Sequence, residues 1–259
     1  MALITPPKTN LTTTSHFNCE ICDNTGWIVD SDNVARPCEC YKRRLQNNRI
    51  KFANIPETYK KTRLDDFKTD IYGPEYNQSA TVILNAVKLY LENLDNHKAD
   101  GIGIYLFSKT KGSGKTLLAT GLANELIYNY NMNVRFATSL DIISEIKATW
   151  DRANDLEFRT ESKLMTYLTD SEVLVIDDFG TEKHKEWLDD KFYQIINTRY
   201  VKKLITIFTS NYSIDQLAYD DRITNRIKER SFAIRLPEKS IREDLAKELQ
   251  GQLRGSKNG

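Results

Sequence analysis

Apolar residues are distributed along this chain in two ways. After Gly101, short continuous apolar runs alternate with longer stretches in which apolar positions recur every three or four residues. The runs IGIYLF, VRFATS, EVLVIDDFG, LITIFTSN and FAIRL predict strands, and TLLATGLANELIYNYN, LDIISEIKATW, WLDDKFYQIINTRYVKK and SIDQLAYDDRITNRIKER predict the helices between them. The first of these helices offers a face of Leu117, Leu118, Gly121, Leu122 and Leu126, and Ser139 is the expected N-cap of the second. Strands that are apolar throughout, rather than on alternate residues, are buried on both faces. Their alternation with helices predicts an α/β domain with a parallel sheet between two helical layers. A further helix is expected from about Thr81, with Val82, Ala86, Leu89 and Leu94 at helical spacing.

Upstream the pattern changes. Residues 1–18, rich in Thr, Pro and Asn, predict a flexible N-terminus; 19–50 hold a compact cysteine module that runs into a basic segment; 51–72 read as a linker; 73–250 form the α/β domain; and 251–259 a flexible tail. No internal repeat is present. With 37 Lys and Arg against 36 Asp and Glu the net charge is +1, so any nucleic-acid contact has to come from a local patch. No apolar run approaches the ~20 residues of a membrane span. The N-terminus lacks the basic-then-apolar order of a secretory signal, so a cytoplasmic protein is expected.

Cysteine usage sharpens this picture. All four cysteines lie between residues 19 and 40. Disulfides are rare in a reducing compartment, and clustering this tight points to a metal. Cys19 and Cys22 are separated by two residues and Cys38 and Cys40 by one, a pairing that suits a four-sulfur Zn2+ site. Gly26 and Trp27 fall in the intervening loop, where a small hairpin is expected to bury Trp27 against the metal. Four reduced thiols, or His16 in place of one thiolate, are the alternatives.

The turn SKTKGSGKT, Ser108 to Thr116, nearly matches the phosphate-loop pattern G-x-x-x-x-G-K-[ST] and departs from it at Lys109, where glycine is usual. Its position between a strand and a helix is what a phosphate cradle requires. The loop residues Lys109, Thr110, Lys111, Gly112, Ser113, Gly114, Lys115 and Thr116 are therefore expected to bind ATP. Lys115 would reach the β and γ phosphates, and Thr116 would be a ligand of Mg2+. A surface turn is the bland alternative. Downstream, Asp177 and Asp178 end a buried strand at the sheet edge where open α/β folds take ligands. Asp177 is expected to hold Mg2+ and Asp178 to polarise an attacking water; acids that only cap the next turn are the competing reading.

A phosphate loop, an acidic strand and a strand ending in a polar residue, in that order, resemble the AAA+ ATPases. The resemblance implies that Asn211 is the first sensor residue, aligning water and γ-phosphate. It also implies that DDRITNRIKER carries an arginine finger for a neighbouring subunit, Arg226 first and Arg222 second, and hence self-assembly into an ATP-dependent oligomer. A solvated basic helix face is the alternative. Within that class the chain is similar to bacterial and phage helicase loaders of the DnaC/DnaI type, from about residue 17 to 237. The motifs that carry this are the C-x-x-C, GW and PC-x-C module, IPETYKKTRLDDF, VLVIDDFG, FYQIINTRY and ITIFTSN. The resemblance implies no C-terminal lid, since little chain remains after Leu236. Asp178 stands where most AAA+ members have Glu, which suits slow hydrolysis.

The function so implied is ATP-dependent loading of the replicative DNA helicase onto single-stranded DNA, with the cysteine module contacting the helicase. The basic segment offers Lys42, Arg43, Arg44, Arg49 and Lys51 to phosphates and Tyr41 and Phe52 for base stacking. Two other functions fit: a transposition helper ATPase of the IstB type, and a zinc-dependent nucleic-acid-binding regulator that does not hydrolyse ATP.

Overall fold

The computed structural model describes residues 19–150, 156–182, 185–244 and 246–247. The ends expected to be flexible, 1–18 and 251–259, lie outside the described residues, as does His16. The chain divides into two compact units, Met1–Asn47 and Asn48–Gly259.

In the smaller unit β1 (Trp27–Val29) pairs antiparallel with β2 (Ala35–Pro37); helix α1 (Glu39–Ala53) follows, and its residues from Asn48 belong to the larger unit. The hairpin expected from Gly26 and Trp27 is present, but its indole is not buried: Trp27 is 45% exposed and lies against Tyr41, ring centroids 5.6 Å apart. The reason is the absence of a core large enough to take it. Among the described residues of this unit the buried side chains are those of Cys22, Cys38 and Cys40.

The larger unit runs α2 (Asn77–Glu92), α3 (Leu94–Asp100), β3 (Gly103–Phe107), α4 (Lys115–Tyr128), β4 (Val134–Thr138), α5 (Ser139–Trp150), α6 (Leu156–Asp170), β5 (Val173–Phe179), α7 (Glu186–Val201), β6 (Ile205–Ser210), α8 (Asp221–Glu229) and β7 (Ser231–Arg235). The strand order is β4-β5-β6-β3-β7, and every pair is parallel. Successive side chains of a strand point to opposite faces, which divides each apolar run between two cores. Val173 and Val175 of β5 pack with α2 and α4, while Leu174 and Ile176 pack with α5, α6, α7 and α8. Among the described residues no helix is long and apolar enough to cross a membrane.

Several elements differ from the sequence expectation. In α2 the buried residues are Ala80, Ile83, Val87, Tyr90 and Leu91, whereas Val82 and Leu89 are 61% and 58% exposed. Two apolar stripes compete on this helix, and the stripe with the bulkier Ile83 and Tyr90 takes the core. The N-cap of α5 is Thr138, whose hydroxyl accepts the Asp141 N–H at 3.0 Å while the Asp141 carboxylate accepts the Thr138 N–H at 3.2 Å. Ser139 is thereby freed, and its hydroxyl donates to the Asp178 carbonyl at 3.0 Å. The stretch expected as one helix from Ser213 to Arg230 contains a 3-10 turn (Ile214–Gln216) and then α8, which Asp220 caps by accepting the Arg222 N–H. Helix α6 was not anticipated.

Residues 51–72, expected as a linker, are part of the larger unit: Ala53, Ile55, Leu64, Phe67 and Tyr72 are buried in its core. Gly121 makes this possible, because a Cβ there would lie 3.1 Å from the Arg63 carbonyl carbon and oxygen. The Asn124 amide on the same helix donates to the Tyr59 and Thr62 carbonyls. A buried amide on a largely apolar helix thus fastens the segment.

Arg199 of α7 is 1% exposed and donates to the Leu168, Ser171 and Ile205 carbonyls and to the Thr206 hydroxyl. Burial pushes its pKa down to about 9, with Asp170 opposing the shift. The guanidinium joins the end of α6 to the start of β6, so Arg199→Leu would leave buried carbonyls unpaired. We expect a loss of about 3 kcal/mol, since each orphaned buried acceptor costs ~1–3 kcal/mol, readable as a shift of the urea unfolding midpoint.

Candidate functional site

The loop after β3 reaches α4 through two left-handed glycines, Gly112 (φ +75) and Gly114 (φ +87). A Cβ on Gly114 would lie 2.7 Å from the Tyr72 hydroxyl, which itself donates to the Ser113 carbonyl at 2.8 Å. The segment before the sheet therefore braces the loop from behind. Lys109, the residue in the unusual first position, is not left-handed and its side chain is exposed. No glycine is needed there, so the departure from the usual pattern does not strain the backbone.

Lys115 is 5% exposed, and its Nζ donates to the Ser108 and Thr110 carbonyls and the Ser113 hydroxyl at 3.1–3.3 Å. Burial lowers its pKa, while Asp178, Glu238 and Asp177 oppose the shift. Thr116 Oγ1 lies 3.0 and 3.2 Å from the two Asp177 carboxylate oxygens. Asp177 is 5% exposed and also accepts from Thr209 Oγ1 at 2.5 Å. Burial raises its pKa, the Asp178 charge adds to this, and the Thr209 and Thr116 hydroxyls and Lys115 pull it down. A buried carboxylate facing a threonine hydroxyl suits a divalent cation held between them, so Thr116 and Asp177 fit Mg2+, which would neutralise phosphate charge.

The adjacent acids are separated by a backbone irregularity that the sequence does not announce. The β5–β6 register shifts between Ile176 and Phe179, and Asp178 sits there with φ +54. A bulge re-aims a side chain, and Asp tolerates the left-handed conformation better than most residues. Asp177 accordingly points inward, and Asp178 is exposed to the cleft. The Asp178 N–H donates to Thr209 Oγ1 at 3.0 Å, so one threonine of β6 holds both acids.

A cleft of ≈ 460 Å³ opens over these groups, lined by Lys111 to Leu117, Asp178, Thr181 and Asn211. Lys109 and Thr110 stand outside it, and Asp177 lies beneath it. Tyr59, Ile241 and Arg242 complete the lining. Sequence reasoning did not select these three, nor Thr209: Ile241 and Arg242 follow β7, outside every motif, and Tyr59 and Thr209 lie within motif segments without a residue type or spacing that marks them as functional.

Arg222 and Arg226 do not line this cleft. They stack on α7: Arg226 lies over the Tyr193 and Tyr200 rings at 5.0 and 5.6 Å and donates to Asn197 Oδ1 and the Arg222 carbonyl. Arg222 lies over Tyr193 at 4.8 Å and pairs with Asp220, and its side chain is 59% exposed. Arg222 is thus the freer of the two.

In the smaller unit the four cysteine sulfurs all lie within 4.8 Å of one another. Cys19 and Cys38 are 3.8 Å apart and Cys22 and Cys40 3.4 Å. A tetrahedral zinc with Zn–S bonds of about 2.3 Å would hold sulfurs about 3.8 Å apart, so the set fits. Burial raises the Cys22 pKa, but the Gly26 N–H and the neighbouring thiols outweigh it and bring it to about 6, while burial and the same neighbours push Cys40 up to about 12, so one thiol of the set ionises at the expense of another. Of the basic segment, Arg44 donates to the Asn24 carbonyl, and Tyr41 packs on Trp27. Arg49 donates to Asn131, and Phe52 packs edge-on against Tyr167. Lys42 and Lys51 are exposed.

A parallel sheet in this order, with a phosphate loop after β3, paired acids ending β5 and a polar residue after β6, defines a P-loop NTPase core of the AAA+ type. More narrowly, the chain belongs to the family of IstB-like ATP binding proteins, whose family model matches residues 34–232. The replicative helicase loader DnaC of Buchnera aphidicola subsp. Baizongia pistaciae is 28% identical over 159 residues, 61% of this chain and 61% of that one. The replicative helicase loader DnaI of Bacillus subtilis is 30% identical over 149 residues, 56% of this chain and 45% of that one. The chain thus matches less than two thirds of the length of either relative. A crystal structure of the DnaC helicase loader superposes with a TM-score of 0.57 at 23% identity, covering 70% of this chain and all of that one.

Proposed function

We propose that this protein is an ATP-dependent helicase loader, which binds the replicative DNA helicase and single-stranded DNA and brings them together at the start of replication. The observation that carries this reading is the name shared by the relatives, replicative helicase loader, over a core whose cleft is lined by Lys115, Thr116, Asp178 and Asn211, with Asp177 beneath it against Thr116. In this reading ATP lies along Lys111 to Thr116, Mg2+ is held by Thr116 and Asp177, Asp178 orients water, and Asn211 aligns it with the γ-phosphate. Arg222, the more exposed arginine of α8, reaches the nucleotide of a neighbouring subunit, with Arg226 beside it. Hydrolysis is slow, because the Asp178 carboxylate is one methylene shorter than glutamate. The domains follow as a zinc-holding module for the helicase and an ATPase core for assembly.

The test is co-purification with the host hexameric replicative helicase, together with phosphate release measured with and without single-stranded DNA. A stable complex that needs ATP or an ATP analogue is expected, along with turnover that changes on adding DNA. The family name favours a second reading, a transposition helper of the IstB type. Failure to bind helicase, with ATP-dependent binding to duplex DNA and a transposase, would establish that one instead. No phosphate release under any condition would leave the zinc-dependent regulator.

A further inference from the structure

The chain beyond β7 turns back along the outer side of the phosphate loop. The Leu236 N–H donates to the Phe107 carbonyl at 2.8 Å and the Ile241 N–H to the Gly112 carbonyl at 3.0 Å, so residues 236–241 form a strap tied to the loop at both ends. Between the ties stands Glu238. One carboxylate oxygen accepts the Thr110 N–H at 2.9 Å and the Thr110 and Ser108 hydroxyls at 3.0 Å each, and the other accepts the Lys109 N–H at 3.2 Å. Partial burial raises the Glu238 pKa, but these donors outweigh it and hold it down to about 2, so the group is an anion throughout the physiological range.

The loop's donors are thereby divided. Ser108, Lys109 and Thr110 serve Glu238, and the residues that line the cleft begin at Lys111. The division coincides with the departure from the usual glycine at Lys109. A backbone that is not left-handed at this point can be held from outside by a fixed anion, and Gly112 and Gly114 then make the turn toward the phosphates.

We propose that Glu238 is a positioning residue of the nucleotide cradle: its carboxylate holds the start of the phosphate loop at Ser108, Lys109 and Thr110, so that the rest of the loop is preset for a triphosphate. ATP affinity then depends on whether the strap is seated. The strap also carries Arg242 into the cleft lining, so seating the loop and presenting that guanidinium are one event. This rests on the reading of the cleft as an ATP site. It adds a distant acidic residue that no local motif contains.

The experiment compares Mg·ATP affinity of the full chain and of Glu238→Gln by calorimetry, with thermal unfolding of each in the absence of nucleotide. Glutamine keeps the size but loses the charge, and turns an N–H group toward donors. The expected result is affinity weakened by about tenfold or more, the scale of a lost charge-assisted network, with little change in melting temperature. Hydrogen exchange on the unaltered protein provides the second measurement. Without nucleotide, the Lys109 and Thr110 amides should already exchange slowly, and ATP should slow those from Lys111 to Thr116. In the variant the first two amides should become fast, a local change that a general packing role for Glu238 would not produce. Affinity within twofold of the unaltered protein, or fast exchange at Lys109 and Thr110 before substitution, overturns the proposal while leaving the ATP site intact. Absence of ATP binding by the unaltered protein overturns both.

Discussion

Replacing Lys115 with methionine is expected to weaken ATP binding by about a hundredfold or more, on the scale measured for removing one member of a buried charge pair. The argument begins with the surroundings of the ammonium. It is nearly excluded from water, and its three donors are satisfied by loop carbonyls and a hydroxyl that carry no formal charge. Burial lowers its pKa, and the acids around the cleft only partly compensate. A phosphate anion entering the cleft would supply the missing negative charge at short range, where low dielectric makes the interaction strong. Methionine keeps the aliphatic stem and its packing, so the fold should be retained and only the nucleotide response lost. Calorimetric titration with Mg·ATP checks the affinity, and far-ultraviolet circular dichroism checks the fold. Binding within a few fold of the unaltered protein would remove the cleft as the nucleotide site.

Removing metal from the cysteine cluster should have a comparably large effect on a different part of the chain. The smaller unit has no apolar core among its described residues: its strands are exposed, and the buried side chains are three of the four cysteines. Apolar burial cannot offset the chain entropy of ordering it. A structural zinc supplies on the order of 10 kcal/mol of folding free energy to such modules. Chelation, or Cys22→Ser, is expected to unfold residues 19–47 and release one zinc per chain. The residues of the two large cores, from Ala53 to Ile241, should stay protected, because neither core includes a cysteine. Metal analysis and amide exchange, read separately for the two units, check this. An unchanged exchange pattern after complete metal removal would mean that the thiols fold the module without zinc.

Much of the site was legible because its residues lie beside one another in the chain. The loop from Lys109 to Thr116, the pair Asp177 and Asp178, and the two cysteine pairs are local patterns whose chemistry follows from residue type and spacing. The strands were legible too, since an apolar run flanked by turns has few other uses. Other features depended on contacts between distant segments. Glu238 meets Lys109 across 129 residues, and Thr209 reaches Asp177 across 32. The buried face of α2 is not legible in the sequence because two apolar stripes compete, and only packing selects Ile83 and Tyr90 over Val82 and Leu89. Residues 51–72 read as a linker because a proline and mixed polarity leave their apolar residues without a helical or strand period; Leu64, Phe67 and Tyr72 gain a partner only when Gly121 lets the backbone approach α4.

Local spacing in the amino-acid sequence was thus enough to specify the α/β architecture, the phosphate loop, the acidic strand and the four-cysteine set. Tertiary packing made Asp177 and Asp178 different from each other, through a bulge and a shared threonine, and turned a segment after the last strand into a wall of the cleft. The physical reason is that residue type and spacing encode what a group is able to do. Its direction, its burial and the charge it faces arise only when remote segments are packed together.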